Sequence, residues 1–231
     1  MKDIPLEDRL IFALDMPSRH DAKNWVERLK DQVKFYKVGL QLFLDGGFDI
    51  VDWIIDKDLK VFLDLKFFDV PETVKNAVMQ LRDRGVSFTT VHGNDRMLKA
   101  AAEHKGSVRI LAVTALTSLD QGDLEDLGFS CSVEELVLSR ARRALQHGCD
   151  GVISSGLEAP RLRAELGDRF LIVSPGIRPV QNVDDQKRTV DACQAFKNGA
   201  DYIVVGRPIQ KAANPEEAVA ELFGNIQKGL G

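Results

Sequence analysis

Short apolar segments alternate with amphipathic segments along the whole chain. Eight segments are almost continuously apolar and rich in Val, Ile, Leu and Phe, which is typical of parallel β-strands buried on both faces. They cover residues 10–14, 35–38, 61–65, 88–91, 109–113, 151–154, 170–173 and 202–205. Between them lie stretches with helical spacing of apolar positions, such as residues 22–29 and 134–145. The pattern predicts a succession of βα units.

The number of units indicates how the strands are arranged. Eight βα units in 231 residues predict an α/β fold, a single-domain (β/α)8 TIM barrel that occupies residues 1–231. An open, doubly wound parallel sheet is the alternative. The two longest connections, residues 114–130 and 175–185, each follow a strand, so a barrel would place both on its catalytic face. The second contains several Pro and Gly residues and is a candidate lid.

Composition and charge restrict the partners. The chain is 44% hydrophobic, enough for a large core, and its net charge of -4 gives no bulk attraction to nucleic acid or to a membrane. An anionic small molecule would therefore need a local group of cations. The cysteine count of three is odd, and no Cys-x-x-Cys motif occurs. Together with a polar first segment unlike a signal peptide, this predicts a cytoplasmic protein without a disulfide framework.

Polar residues recur where the predicted strands end. They are Asp15, Lys37, Asp64, Lys66, Asp69, His92, Thr114, Ser154, Ser174 and Arg207. Any one of them has an ordinary structural explanation, such as a helix cap. The set indicates a site, because a barrel brings all of its strand ends to one rim.

The densest group of charges covers residues 64–69. Alternation along a strand places Asp64 and Lys66 on the same face. A buried carboxylate is costly without a neighbouring cation, and both Lys66 and Lys37 are candidates. A purely structural ion pair inside the barrel is the alternative interpretation.

A second group has the chemistry of a phosphate site. Gly206 and Arg207 follow the eighth predicted strand, and Gly176 and Arg178 follow the seventh. Glycine permits close approach of an anion, and the arginine guanidinium presents donors that match phosphate oxygens. The loops after the seventh and eighth strands are the usual phosphate site of such barrels.

These motifs together resemble the bacterial type of the orotidine 5′-monophosphate decarboxylase family. The matching segments occur in family order from residue 13 to residue 208, which is nearly the whole chain. They are Ala13-Leu14-Asp15, Lys37-Val38-Gly39, Asp64-x-Lys66-x-x-Asp69-Val70-Pro71-x-Thr73, Thr114-x-Leu116-Thr117-Ser118, Pro175-Gly176-Ile177-Arg178, Asp185-Gln186 and Val205-Gly206-Arg207-Pro208. The Asp-x-Lys-x-x-Asp motif alone is shared with related sugar-phosphate barrels. The full set is far more specific.

The resemblance implies a catalytic group formed by Lys66, Asp64, Asp69 and Lys37. Asp64 and Lys66 would flank the substrate carboxylate and C6 of the pyrimidine. Asp69 and Thr73 would reach into the neighbouring subunit's site, which implies a homodimer. The implied substrate-binding residues are Asp15 and Lys37 for the ribose, Thr73 from the partner, Thr117 for the pyrimidine, Gln186 for pyrimidine and phosphate, Gly206 and Arg207 for phosphate, and Arg178.

The implied reaction is conversion of orotidine 5′-monophosphate to uridine 5′-monophosphate and carbon dioxide in de novo pyrimidine biosynthesis. We find no motif for pyridoxal phosphate or thiamine, and the four histidines are scattered without ligand spacing. We therefore expect neither cofactor nor metal. Lys66 would stabilise the C6 carbanion electrostatically and then protonate it.

Three alternatives remain at this point. A metal-dependent sugar-phosphate lyase of the same barrel superfamily shares the Asp-x-Lys-x-x-Asp motif, but it carries Glu where this chain has Lys37. A Schiff-base aldolase would require a neutral Lys66 amine, which the neighbouring acids disfavour. A non-catalytic phosphate-binding protein with a relic site is the third alternative.

Overall fold

The computed structural model describes residues 2–178 and 189–231. Eight parallel strands close into a barrel in chain order, so that β8 pairs with β1. The strands are β1 (Leu10–Ala13), β2 (Phe35–Gly39), β3 (Lys60–Phe67), β4 (Phe88–Val91), β5 (Arg109–Val113), β6 (Gly151–Ile153), β7 (Leu171–Ser174) and β8 (Tyr202–Val205). The closed order confirms the predicted single-domain (β/α)8 barrel and excludes the open sheet.

Helices connect the strands and cover the outside of the barrel. They are α1 (Arg19–Leu29), α2 (Leu40–Ile55), α3 (Pro71–Met79), α4 (Asp95–Glu103), α5 (Gln121–Asp126), α6 (Val133–Gln146), α7 (Ala159–Leu166), α8 (Ala192–Lys197), α9 (Arg207–Gln210) and α10 (Pro215–Leu230). A 3-10 turn, Leu6–Asp8, precedes β1. In the described part of the chain, no helix is long and apolar enough to cross a membrane.

Local sequence explains where several helices begin. The side chains of Ser18, Asn94 and Ser132 accept a backbone N–H in the first turns of α1, α4 and α6. Such caps satisfy donors that a helix leaves unpaired at its start. The long connection over residues 114–130 contains α5, where Asp120 and Asp123 form a reciprocal capping box. This connection is therefore partly helical.

The inside of the barrel is filled by aromatic side chains below the strand ends. Phe35 and Phe88 have ring centroids 4.9 Å apart, and Phe88 lies 5.1 Å from Tyr202 and 6.0 Å from Phe62. Two larger apolar clusters pack the strands against the surrounding helices. The aromatic layer closes the barrel from below, so polar groups collect above it, at the carboxyl ends of the strands.

Candidate active site

A cavity of about 220 Å³ opens at the carboxyl ends of the strands. Its polar lining contains eight of the predicted site residues, which are Asp15, Lys37, Asp64, Lys66, Thr117, Arg178, Gly206 and Arg207. Its floor is apolar and includes Phe62, Val113, Ile153 and Val204. These floor residues were not among the site residues predicted from the sequence. Their position inside predicted strands is the signal that would have indicated them, because alternate strand residues point into a barrel.

Four charged side chains form a continuous row along one side of the cavity. Lys37 Nζ lies 2.8 Å from Asp15 Oδ1 and 3.8 Å from Asp64 Oδ2. Lys66 Nζ donates to both oxygens of Asp64 at 2.9 Å. The order of the row is therefore Asp15, Lys37, Asp64, Lys66, with alternating sign. It begins after β1 and extends through β2 to β3.

Asp64 is buried, yet it stays ionised. Burial alone would raise the pKa of this carboxyl. The opposing effects are larger in sum: the charges of Lys37 and Lys66, with hydrogen bonds from Lys66 and Thr90, lower the pKa below its ordinary value. The site thus holds a fixed negative charge between two ammonium groups.

The backbone is irregular at Lys66. Its φ is 51°, in the left-handed region that side-chain-bearing residues seldom adopt and that costs about 1–2 kcal/mol. The pairing of β3 with β4 shifts between Leu63 and Phe67. Asp64 and Lys66 do share one side of the barrel, as predicted. A bulge in β3 brings them together, however, and regular alternation does not extend through this segment.

Asp69 and Thr73 do not line the cavity of their own chain. Both are exposed, and Asp69 Oδ1 accepts the backbone N–H of the adjacent Val70 at 2.7 Å. Their neighbours Phe68 and Val70 are also exposed, at 66% and 61%. The cavity of this chain is thus lined without Asp69 and Thr73.

His92 follows β4 at the rim, as predicted, and lines a separate cavity with Phe68. Its ring lies 5.6 Å from that of Phe68 in an edge-on arrangement. Burial, followed by the charges of Arg140 and Lys66, lowers the pKa of His92 below its ordinary value. The imidazole is therefore neutral at physiological pH and adds no cation beside Lys66.

The cavity wall after β7 and β8, next to the Asp15 end of the row, contains the residues predicted to bind phosphate. A Cβ on Gly206 would lie 3.3 Å from Ala13 Cβ, so a side chain there would crowd the wall of the cavity. Arg178 is buried, and its backbone N–H donates to Val190 O at 3.0 Å. Gln186 and most of the predicted lid, residues 179–185, lie outside the described residues.

Within residues 2–178 and 189–231, no group of three His, Cys, Asp or Glu residues could hold a metal ion. In the cavity itself, both sides of the Asp64 carboxylate face lysine ammonium groups. A cation would be repelled there. The observed donor set instead fits an anionic ligand.

Comparisons with known proteins agree with this geometry. Residues 8–222 match the model of the orotidine 5′-phosphate decarboxylase / HUMPS family. Orotidine 5′-phosphate decarboxylase of Methylococcus capsulatus is 67% identical over 229 residues, which cover 98% of this chain and 95% of the relative. The Nitrobacter winogradskyi enzyme of the same name is 46% identical and covers 96% of this chain and 94% of the relative.

A solved structure of the same family has the same fold. Orotidine 5′-phosphate decarboxylase from Lactobacillus acidophilus superposes with a TM-score of 0.84 at 35% sequence identity, and the match covers 95% of this chain and 99% of that structure. The family model, the relatives and the structural neighbour each extend over nearly the whole barrel, including every strand end that lines the cavity. This chain belongs to the orotidine 5′-phosphate decarboxylase / HUMPS family.

Proposed function

We propose that this protein decarboxylates orotidine 5′-monophosphate to uridine 5′-monophosphate and carbon dioxide, as a step of de novo pyrimidine biosynthesis. The observation that carries the proposal is the Lys37–Asp64–Lys66 row, at 3.8 and 2.9 Å, in a chain of this family. A buried carboxylate between two ammonium groups supplies fixed charge at the point where a carbanion has to form.

Lys66 performs the central step. Cleavage of the bond between C6 and the carboxylate leaves the electron pair on C6 in the plane of the ring, where the ring π system cannot accept it. An ammonium 4 Å away stabilises that charge by about 4 kcal/mol at an effective dielectric constant near 20. The Lys66 ammonium then gives one proton to C6, and carbon dioxide leaves.

Asp64 and the ribose-binding pair assist this step. Asp64 holds the Lys66 ammonium through two contacts of 2.9 Å and opposes the substrate carboxylate before it departs. Asp15 and Lys37, joined at 2.8 Å, present an acceptor and a donor to the ribose hydroxyls. Thr117, half-buried in the cavity wall, faces the pyrimidine amide edge.

Remote binding energy supplies much of the remaining acceleration, since one charge interaction is too small. Gly206 and Arg207 bind the phosphate, and Arg178 and Gln186 complete the binding set. Arg178, Gly206 and Arg207 line the cavity after β7 and β8, and Lys66 lines it at β3. The nucleotide would then extend along the cavity with its phosphate at β8 and its reacting carbon at β3.

The alternatives fit the cavity less well. A metal-dependent lyase needs an open acidic ligand set, whereas Lys37 Nζ lies 3.8 Å from the Asp64 carboxylate and 2.8 Å from Asp15. A Schiff-base aldolase needs a neutral amine, whereas the Lys66 ammonium is paired with Asp64 at 2.9 Å. A relic phosphate-binding site would have no need of the Asp64–Lys66 pair.

A turnover assay on purified, chelator-treated protein tests the function. Absorbance of orotidine 5′-monophosphate should fall, and uridine 5′-monophosphate should accumulate in equal amount. Activity should survive exhaustive EDTA treatment because neither a metal nor an added cofactor takes part. Absence of turnover would refute the proposal, and loss of turnover that magnesium restores would favour the lyase.

We also propose a cytoplasmic homodimer in which Asp69 and Thr73 complete the partner's site. Supporting this, both residues are exposed and lie beside the exposed Phe68 and Val70. In an isologous dimer each interface residue is used once in each direction. Each site then combines Lys66 of one subunit with Asp69 and Thr73 of the other.

Subunit mixing distinguishes a shared site from a site within one chain. Lys66→Ala and Asp69→Ala should each be nearly inactive alone. After equal mixing with subunit exchange, half of the dimers are mixed and each has one intact site, so activity should recover to about a quarter of the parent value. No recovery, with exchange verified by a tagged subunit, would remove Asp69 from the partner's site.

A further inference from the structure

Thr90 lies directly opposite the irregular part of β3. Its side chain is fully buried in the middle of β4. The ladder pairs Leu63 with Thr89 and resumes at Phe67 with Val91. Residues 64–66 of β3 therefore face the single residue Thr90. The bulge that contains the proposed proton donor thus lies against one threonine.

The Thr90 hydroxyl bonds to both members of the charged pair. The Lys66 backbone N–H donates to Thr90 Oγ1 at 2.9 Å, and Thr90 Oγ1 donates to Asp64 Oδ1 at 2.8 Å. A hydroxyl has one proton to donate and lone pairs to accept, so the two bonds are compatible. One side chain thereby supplies the acceptor for the bulged Lys66 amide and a donor to the buried carboxylate.

We propose that Thr90 is a positioning residue for the decarboxylation step, which holds the Lys66 backbone and the Asp64 carboxylate in one fixed relative orientation. The inference rests on the proposed function for its kinetic consequence. Thr90 does not line the cavity that holds the substrate, so it acts through Lys66 and Asp64. Its loss should therefore slow the chemical step more than it weakens substrate binding.

The adjacent Thr89 provides a matched control. It is equally buried, and its Oγ1 donates to Leu63 O at 2.9 Å, so it bonds to the strand backbone and to neither charged residue. Valine has nearly the shape of threonine but lacks the hydroxyl. Thr90→Val and Thr89→Val thus each remove one buried hydroxyl from the same strand, and they differ in whether that hydroxyl contacts the charged pair.

Steady-state kinetics of the dimeric enzyme should separate the two variants. Thr90→Val should lower kcat about 10- to 100-fold, as expected for loss of a hydrogen bond to a charged group, with KM near the parent value. Thr89→Val should retain the parent kcat, and Thr90→Ser should restore most of the activity. Equal kcat losses in both valine variants, or a Thr90→Ser variant as slow as Thr90→Val, would overturn the inference.

A crystal structure of Thr90→Val, or of Thr90→Ala if the valine variant does not fold, tests the same point without turnover. The Lys66 φ of 51° and the two 2.9 Å contacts to Asp64 should change in that variant. If all three persist, Thr90 does not position the pair. Because this readout needs no activity, an inactive parent enzyme would refute the proposed function and leave the positioning role to be decided by the structure.

Discussion

The two ends of the barrel each contain a buried carboxylate between two cations. At the carboxyl ends of the strands, Asp64 lies between Lys37 and Lys66. At the opposite end, Asp201 Oδ2 lies 2.7 Å from both Lys2 Nζ and Arg163 Nη2. The exposed fractions of the two aspartates are 9% and 7%. In burial and local charge the two groups are alike.

They differ in what else the cations bind. Arg163 also donates to Gly199 O at 3.0 Å and to Phe170 O at 2.9 Å, and Asp201 also accepts the Ile172 backbone N–H at 2.9 Å. The Lys66 side chain donates to Asp64, and 35% of that side chain is exposed in the cavity. The Asp201 group is thus bonded to the backbone on several sides, whereas the Lys66 ammonium keeps donors directed at open space.

This contrast shows that a buried ion pair is not by itself evidence of a catalytic site. Arginine bonded to carbonyl groups on neighbouring segments fixes those segments and stabilises the fold. A lysine held by one carboxylate at the edge of a cavity still has N–H donors that can face a ligand. Changes to the Lys66 group should therefore affect mainly catalysis, and changes to the Asp201 group should affect mainly stability.

The largest effect is expected from removal of the Lys66 ammonium. Lys66→Ala should lower kcat by about 10²- to 10⁴-fold, the range for loss of a proton-transferring side chain. Lys105→Ala is the matched control, because Lys105 Nζ pairs with Asp150 at 2.6 Å near the start of β6. That variant should keep the parent kcat in the same absorbance assay.

The affinities of two nucleotides test the same role of Lys66 without turnover. 6-Hydroxyuridine 5′-monophosphate carries an oxyanion next to the position of the Lys66 ammonium, so the parent should bind it much more tightly than uridine 5′-monophosphate. Lys66→Ala should erase most of that preference, measured by calorimetry. Equal affinities of the parent for both nucleotides would contradict a charge-stabilising role for Lys66.

The barrel was predictable because its signal is repeated and local. Parallel strands buried on both faces have continuous apolar sequences. The boundaries of all eight predicted strands lie within two residues of the observed boundaries. The positions of Asp64–Lys66 and Gly206–Arg207 at the cavity were predictable for a related reason. Each pair consists of charged or glycine residues at the carboxyl end of an apolar strand.

Features that depend on contacts between distant segments were not predictable. The sequence Asp64-Leu65-Lys66 alternates normally, so nothing in it indicates the bulge, which arises from the register with β4. Thr90 was missed for that reason, although a threonine pair within an apolar strand was a usable signal. The Asp201 group was missed because Lys2 and Arg163 are far from it in sequence.

The next largest effect concerns stability at the other end of the barrel. Asp201→Asn leaves two partly buried cations without their carboxylate, which should lower the free energy of unfolding by about 3 kcal/mol. Activity per folded molecule should be unchanged, because the change lies at the far end of the barrel from the cavity. Urea unfolding followed by circular dichroism, with the turnover assay on the folded fraction, measures both.

Asp168 is a suitable control for the Asp201 variant. It lies 3.7 Å from the same Arg163, but 89% of its side chain is exposed. Asp168→Asn should therefore cost about 0–1 kcal/mol. Similar losses of unfolding free energy in both variants would mean that burial does not make the Arg163–Asp201 pair stronger than the Arg163–Asp168 pair. Loss of activity in folded Asp201→Asn would show that the two ends of the barrel are not independent.

The smallest effect should come from Gly39→Ala at the start of α2. The backbone there has φ of -96°, which alanine adopts without strain, but the new Cβ would lie 3.1 Å from Lys37 Nζ and 3.4 Å from Asp15 Oδ1. Lys37 should shift off its rotamer at a cost of about 0.5–1.5 kcal/mol. If this pair binds the ribose, KM should rise about two- to tenfold. Since Lys66 is not touched, kcat should stay near the parent value.

Gly224→Ala in α10 is the control for Gly39→Ala. It adds the same methyl group at a position where that group contacts neither Lys37 nor Asp15. A Cβ at Gly224 would meet nothing within 4 Å, so this variant should keep both kinetic constants and should gain about 0.5–1 kcal/mol of stability from better helix propensity. A rise in KM for Gly39→Ala alone supports ribose binding by the Asp15–Lys37 pair. An equal fall in kcat would instead mean that a disturbance of Lys37 reaches Lys66 through Asp64, so that the charged row acts as one unit in the chemical step.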